Sequence, residues 1–303
     1  MAFPFSWQLQ IVSDLHLETS VVEPSYATFN LHIQAENLFL LGDIGLVKDE
    51  GLFHFLERLL ETNLGVKIFY VMGNHEYHYL TVDEANRKMR EFEMNMNVKH
   101  GRRFILLDRR RYDLNSTVTV LGCTLWSRIV PEQAASLQER LKDFKETAGI
   151  RGRTVEKHNG DHEADLRWLN EQVLTISEDE PHRQIIVVTH HSPSVDERAT
   201  APRHRNSATT SGYATDLSLE ACWTSPSVKM WAFGHTHHNV EYHDERGKLV
   251  VANQRGSRKP GDTSASFLPA AVVDTSTVPY TARRIVPKTL EMRSTFGSVC
   301  RHA

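Results

Sequence analysis

The 303-residue sequence predicts an α/β fold with a mixed sheet or two stacked sheets. Short apolar runs recur along the chain, and amphipathic segments with helical spacing separate the early runs. In the last third of the chain the apolar runs follow one another more closely. Strands that first alternate with helices and then crowd together are typical of an α/β fold with mixed strand directions.

Eight apolar runs have the length of buried strands, and several are rich in β-branched or aromatic residues. They cover residues 9–12, 38–41, 68–71, 104–107, 118–121, 185–188, 230–233 and 249–251. Apolar residues three or four positions apart predict helices over 52–60, 82–94 and 165–176, with charged residues on the opposite faces.

Two long polar segments interrupt this pattern. Residues 131–162 are charged with a helical centre over 134–144, and residues 196–217 are rich in Ser, Thr, Ala and Arg without periodicity. Long segments of this kind often act as lids or binding loops, so we expect both to form a cap. We expect one domain over residues 8–258, followed by a C-terminal extension, 259–303, that wraps irregularly on the surface.

Charge and composition exclude several classes of protein. The 35 Lys and Arg residues nearly balance the 38 Asp and Glu residues, which leaves no bulk field for nucleic acid or an anionic membrane. No apolar run reaches the roughly 18 residues of a transmembrane helix, and the first residues lack a secretory pattern. We expect no membrane partner and leave the oligomeric state open.

The number and spacing of the cysteines indicate the redox state of the compartment in which the protein works. Cys123, Cys222 and Cys300 are far apart and form no CxxC pair. An odd number of isolated cysteines argues against a disulfide framework and against a cysteine-based zinc site. Such usage fits a reducing environment, so we expect a cytoplasmic protein.

Chemistry-bearing side chains follow five of the predicted strands. They are Asp14 and His16, then Asp43, then Asn74, His75 and Glu76, then His190, and finally His235 and His237. Each segment alone has an ordinary explanation as a polar strand end or a turn. Because open α/β sheets bind ligands at the carboxyl ends of their strands, five such segments in one chain predict a shared site.

The residue types in these segments predict a metal site. Imidazole, carboxylate and amide oxygen together suit Mn, Fe or Zn, and the absence of thiolates argues against a structural zinc. Seven of these residues are candidate ligands, which is too many for one tetrahedral ion: Asp14, His16, Asp43, Asn74, His190, His235 and His237. They fit two ions that share a bridging carboxylate, about 3.5–4 Å apart as in two-metal hydrolases.

The ordered motifs DxH, GD, GNHE, a histidine after a buried strand, and GHTH resemble the calcineurin-like metallophosphoesterase superfamily, in particular its small single-domain members. The resemblance covers about residues 9–256 and includes the segment 253–256, which resembles an N-x-R-G ending. It implies a four-layer αββα sandwich in which two mixed sheets are flanked by helices.

The resemblance also implies roles for single residues. Asp14, His16 and His237 hold the first metal, Asn74, His190 and His235 hold the second, and Asp43 bridges both. His75 is implied as the general acid that protonates the leaving oxygen. Glu76 stands where many members carry Asp, and we expect it to orient His75.

The function implied is hydrolysis of a phosphate ester by a metal-bridging hydroxide, with a cap that selects a small or medium-sized organic substrate. Monoesters, diesters and pyrophosphates remain open. Asn74 and His191 are candidate substrate contacts, as are Arg198, Arg203 and Arg205, for which a solvated loop is the alternative. Two alternative functions remain open. One is metal-dependent chemistry on a non-phosphate substrate, and the other is a non-catalytic scaffold on the same fold.

Overall fold

The computed structural model describes residues 8–18, 25–205, 207–256, 267–276 and 278–284, and within them strands form two six-stranded sheets. The strands are β1 Gln8–Val12, β2 Asn37–Leu41, β3 Lys67–Val71, β4 Phe104–Leu106, β5 Arg110–Asp113, β6 Val118–Cys123, β7 Gln184–Thr189, β8 Val228–Ala232, β9 Val240–His243, β10 Leu249–Ala252, β11 Ala271–Asp274 and β12 Thr281–Arg284. The α-helices are α1 Glu50–Thr62, α2 Val82–His100, α3 Pro131–Arg140, α4 Val155–Asp179 and α5 Ala221–Thr224. Short 3₁₀ turns cover His75–Tyr77, Lys142–Phe144, Pro202–His204 and Thr210–Gly212.

Parallel strands form the centre of each sheet. The first sheet has the order β12-β11-β1-β2-β3-β4, in which β1 to β4 are parallel and β11 and β12 are antiparallel additions. The second has the order β5-β6-β7-β8-β10-β9, with antiparallel strands at its two edges. Since the central strands of each sheet are parallel, their carboxyl ends meet at one edge.

The two sheets pack face to face, and helices cover their outer faces. Phe39 of β2 and Phe69 of β3 point between the sheets, where they join Val188 and Met230 of the second sheet in one buried cluster. The alternate residues of β2, such as Leu38, pack beneath α1 and α2. Helices α4 and α5 cover the second sheet. The predicted αββα sandwich of two mixed sheets is confirmed.

Two strands correct the prediction for the C-terminal extension. Residues 257–266, 277 and 285–303 lie outside the described part of the chain. Within 271–284, where irregular wrapping was expected, β11 and β12 instead extend the first sheet beside β1. The sequence of β12, Thr-Ala-Arg-Arg, is mostly polar and does not stand out as an apolar run. Pairing of β11 with β1 and of β12 with β11 decides the conformation of these two strands. The sheet therefore continues past residue 258.

The helices also differ from their predicted bounds. The segment predicted as a helix over 134–144 is α3 followed by a 3₁₀ turn, and 165–176 is only the second half of α4. That helix begins after Thr154, whose hydroxyl accepts the backbone N–H of Lys157 as an N-cap. None of the helices in the described ranges is long and apolar enough to cross a membrane.

The packing of aromatic side chains between the sheets predicts a large loss of stability when one of them is removed. Phe39 and Phe69 are fully buried and stack with ring centroids 4.6 Å apart. Phe39→Ala should lower the free energy of unfolding by about 3–5 kcal/mol, because it leaves a cavity between the sheets. The measurement is urea unfolding followed by circular dichroism. Leu64→Ala, at a side chain 81% exposed, is the control and should change stability by about 0.5 kcal/mol or less; equal losses would contradict the packing argument.

Candidate metal centre

The seven predicted metal ligands lie at the joined carboxyl edges of the two sheets. Those that follow β1, β2 and β3 come from the first sheet, and those that follow β7 and β8 come from the second. All are buried except His237, which is half-buried. They form one connected group through contacts among imidazole, carboxylate and amide atoms. The sequence segments that predicted a shared site are thus brought together.

Five of these residues have left-handed backbone conformations, which side chains other than glycine rarely adopt. They are Asp14, His16, Asp43, His235 and His237, with φ between 46° and 67°. Each such residue costs about 1–3 kcal/mol and persists only where its surroundings impose it. Here the loops after β1 and β2 hold each other, because Asp14 N–H donates to Gly42 O at 3.0 Å and His16 N–H to Asp43 O at 2.9 Å.

Glycines allow the loops to approach this closely. A Cβ atom on Gly42 would lie 2.6 Å from the backbone nitrogen of Gly73, and one on Gly234 would lie 2.6 Å from Asp14 Oδ2. Both distances are far inside van der Waals contact. Each glycine next to a candidate ligand is therefore required by the packing of one strand end against another.

The first subsite consists of Asp14, His16 and His237. His16 Nδ1 lies 3.2 Å from Glu18 Oε1, so its N–H donates to that carboxylate and its Nε2 keeps a lone pair. This Nε2 is 3.0 Å from Nε2 of His237, which is in turn 3.3 Å from Asp14 Oδ1. Two facing imidazole nitrogens need a proton or a cation between them. The donor set therefore fits a metal ion, and the carboxylate behind His16 is the usual support of a histidine ligand.

The second subsite consists of Asn74, His190 and His235. His190 Nδ1–H donates to Leu41 O at 2.8 Å, which leaves its Nε2 lone pair toward Asn74 Oδ1, 3.2 Å away. The His235 ring lies 4.9 Å from the His190 ring between centroids. This donor set also fits a metal ion, with the tautomer of His190 fixed by a backbone carbonyl.

Asp43 lies between the two subsites. Its Oδ1 is 3.3 Å from His190 Nε2, and its Oδ2 is 3.7 Å from His16 Nε2. Burial by itself would raise the pKa of this carboxyl, but the imidazoles of His190 and His75 outweigh burial and hold the pKa well below its usual range. Asp43 therefore offers one ionised oxygen to each subsite.

The structure gives His75 a different partner from the one expected. His75 Nδ1 lies 2.8 Å from Glu18 Oε1, and His16 Nδ1 donates its hydrogen bond to the same oxygen. Burial disfavours the charged form of Glu18, yet the hydrogen bonds from the two histidines outweigh it and lower its pKa. Glu18 lies two residues after His16 in the chain, but nothing in the sequence shows that it reaches His75.

Glu76 makes its hydrogen bonds elsewhere, so the expected pairing with His75 is wrong. Its carboxylate accepts the backbone N–H groups of Asp43 and Gly73 at 2.9 Å and the hydroxyl of Tyr70 at 2.7 Å. Burial and the nearby charge of Asp43 raise the pKa of Glu76 to about 7. The side chain turns back beneath the strand ends, where it fixes the loops that carry the ligands.

His191 is a third imidazole beside the second subsite. Its ring stacks on that of His235 with centroids 4.0 Å apart, and its Nδ1 accepts the backbone N–H of Ser127 at 3.2 Å. Burial lowers the pKa of His191 well below the usual value, with further lowering from the charges of His235 and His190. The structure places His191 behind His235 and not on the cavity wall, in contrast to its expected role as a substrate contact.

A cavity of about 490 Å³ opens above the two subsites. Its base includes Asp43, Asn74, His75, His235 and His237. Its walls come from both polar insertions, with Arg140, Lys142 and Asp143 from the first and His204 and Tyr213 from the second. Cavities that bind small molecules commonly have this size.

Two of the three arginines predicted to grip the substrate, Arg198 and Arg205, lie away from the cavity. Arg198 donates to Asp196 at 2.7 Å and lies over the ring of Tyr242, and Arg205 pairs with Glu197 at 3.3 Å. Neither is among the described residues that line the cavity. The side chain of Arg203 lies outside the described part of the structure. The solvated-loop alternative fits Arg198 and Arg205.

Gln254 is a supporting residue that the sequence argument missed. Its Oε1 accepts the backbone N–H of His237 at 2.6 Å, and its Nε2 donates to Thr236 Oγ1 at 3.0 Å and His238 O at 2.9 Å. It therefore holds the loop that carries His237. Its place in the segment 253–256, already noted as a family-like ending, was the available signal.

Comparisons with known proteins bear on the family and the fold of this chain. The family model for calcineurin-like phosphoesterases matches residues 10–239. Uncharacterized protein L509 of Acanthamoeba polyphaga mimivirus is 27% identical over 285 residues, which cover 88% of this chain and 96% of that protein. The crystal structure of a dimetal phosphatase from Danio rerio has a TM-score of 0.50 and 13% identity, with 88% of this chain and 92% of that chain covered.

A fold of two mixed sheets with carboxylates and imidazoles gathered at their common edge defines a metal-dependent phosphoesterase. The chain belongs to the calcineurin-like phosphoesterase family. The resemblance carried by the five motifs of the sequence is thereby confirmed. The similarity to the solved phosphatase concerns the fold alone.

Substitution of Gly234 tests the close packing of the loops. Gly234→Ala places a methyl group against Asp14, so we expect the variant to lose most of the manganese that the native protein retains after desalting. Gly160→Ala is the matched control, because its Cβ has no neighbour within 4 Å in the middle of α4. It should keep its metal and gain roughly 0.5–1 kcal/mol of stability. Native manganese content in Gly234→Ala, measured by mass spectrometry, would refute the argument.

Proposed function

We propose that this protein is a dinuclear-metal hydrolase of small or medium-sized organic phosphate esters. The observation that carries the proposal is Asp43, whose two oxygens face different ligand groups at the base of the cavity. Asp14, His16 and His237 would hold one ion, and Asn74, His190 and His235 would hold the other. These ligands suit manganese, iron or zinc.

When bound, such ions supply an activated water nucleophile and offset charge on the phosphate. The side chains of this protein contribute the rest. His75 lines the cavity, and because its Nδ1–H donates to Glu18, the protonated ring carries its second proton on Nε2. That proton is placed to pass to the leaving oxygen, which makes His75 the general acid. Asn74 also lines the cavity and is proposed to contact the phosphate.

We further propose that residues 131–162 and 196–217 form the cap that selects the substrate. Both segments contribute walls to the cavity above the proposed metal ligands. Arg140 and Lys142 are exposed basic residues at this wall, so they take the place of Arg198 and Arg205 as the groups that would bind a second anionic group of the substrate. We also propose a cytoplasmic location, which the free Cys123 and Cys222 support.

Hydrolysis assays test the proposed activity. Manganese-loaded protein should turn over p-nitrophenyl phosphate or bis-p-nitrophenyl phosphate, and the preferred compound distinguishes monoester from diester chemistry. Asp43→Asn should abolish turnover, because it weakens the carboxylate shared by the two subsites. His75→Ala should lower kcat about 10²–10⁴-fold while metal content stays near native. If native protein with two bound ions hydrolyses neither compound, the proposed function fails.

Arg140 and Lys142 are tested by a comparison of two substrates. The double variant Arg140→Ala/Lys142→Ala should raise KM for a sugar bisphosphate about three- to tenfold, roughly 0.7–1.4 kcal/mol of binding. The KM for p-nitrophenyl phosphate, which has no second anionic group, should stay within about twofold. Arg198→Ala is the control and should change neither KM. Equal increases for both substrates would exclude recognition of a second anionic group.

A further inference from the structure

A buried carboxylate from the first insertion reaches the second subsite. Asp143 lies in the 3₁₀ turn Lys142–Phe144 and is only 3% exposed. Its Oδ1 accepts a hydrogen bond from Asn74 Nδ2 at 2.8 Å and another from His78 Nε2 at 2.8 Å. The sequence motifs do not include Asp143, which is 69 positions from Asn74 in the chain.

The contact with Asn74 fixes which end of the amide faces the subsite. An ionised carboxylate only accepts hydrogen bonds, so the NH₂ group of Asn74 must point toward Asp143. The amide oxygen then points the other way, to within 3.2 Å of His190 Nε2. A flipped amide would present hydrogen atoms to the same place, and an NH₂ group is no ligand for a cation.

The contact with His78 extends the arrangement to the proposed general acid. His78 is fully buried, and its ring lies against that of His75 with centroids 4.4 Å apart. Because Asp143 holds His78 Nε2, it also fixes the side chain that packs behind His75. One carboxylate thus supports a proposed metal ligand and the residue that neighbours the proposed acid.

The backbone around Asp143 holds it in place. Ile150 N–H donates to Asp143 O at 2.9 Å, which closes the turn that carries the carboxylate. Tyr79 N–H donates to Gly149 O at 2.7 Å, and Arg151 N–H to Leu80 O at 2.8 Å, so the insertion is joined to the chain that follows the GNHE motif. The carboxylate is therefore part of a built arrangement and not the end of a mobile loop.

From these contacts we propose that Asp143 is a positioning residue for the second subsite, which turns the Asn74 amide oxygen toward the metal. This inference rests on the proposed function, since it assigns Asn74 to a metal ion. Partners of this kind typically contribute about 10–100-fold to metal affinity or activity.

The test compares Asp143→Ala and Asp143→Asn with native protein and with Glu146→Ala, an exposed acidic residue of the same insertion. Titration with manganese, followed by mass spectrometry and electron paramagnetic resonance, measures binding of each ion separately from turnover. Asp143→Ala should bind the second ion about 10–100-fold more weakly and lose the signal of a coupled manganese pair. Asp143→Asn keeps an acceptor oxygen and should restore most of the binding, while Glu146→Ala should match native protein.

The outcomes are distinguishable. Native affinity for both ions in Asp143→Ala overturns the proposal, as does equal weakening in Asp143→Ala and Glu146→Ala. If metal-free Asp143→Ala does not unfold cooperatively, Asp143→Ser is judged by the same criteria. A native protein that binds two ions but hydrolyses no phosphate ester refutes the proposed function, while the manganese titration still decides the role of Asp143.

Discussion

The arrangement of the site depends on the carboxylate of Asp43. This side chain follows a strand of the first sheet, yet its oxygens face His16 from that sheet and His190 from the other. A buried charge is costly unless it is paired, and here imidazoles on both sides, together with the backbone N–H of His75 at 2.9 Å, satisfy it. The carboxyl ends of the two stacked sheets must therefore stay aligned with little tolerance, because a shift of either sheet would leave the carboxylate unpaired.

The loops around Asp43 contain several residues in unfavourable backbone conformations, and the rest of the fold must offset their free-energy cost. Left-handed backbone at Asp14, Asp43 and His235 is unfavourable in isolation. The αββα layers supply buried apolar surface on both faces of each sheet, which offsets local costs of this kind. The side-chain oxygens of Glu76 and Gln254 hold the strained loops by accepting the backbone N–H groups of Asp43 and His237. The buried layers thus stabilise the fold enough to hold the ligand-bearing loops in conformations that are unfavourable in isolation.

The insertions are structural parts of the site as well as walls of its cavity. Asp143 and the turn around it are hydrogen-bonded to the chain beyond the GNHE motif, and Arg140 stands at the end of the preceding helix. The same segment therefore supplies a buried support to the second subsite and an exposed cation to the cavity. If both proposals hold, a change in this insertion affects substrate binding and the orientation of the Asn74 amide together.

The sequence by itself determined eight of the twelve described strands, because apolar runs are local patterns. The Asp, His and Asn residues that follow five of these runs predicted the group of candidate ligands, and the resemblance of the ordered motifs to a known family implied the sandwich. The sequence did not determine β5 and β9 at the edges of the second sheet, nor β11 and β12, of which β11 pairs with β1 and β12 pairs with β11. These short strands take their conformation from their neighbours in the sheet. The sequence also did not predict the hydrogen bond between His75 and Glu18, because such a bond depends on the direction in which each side chain points. Glu76 is next to His75 in the chain but turns away beneath the strands. Only the tertiary structure decided which distant residues, such as Asp143, reach the ligands.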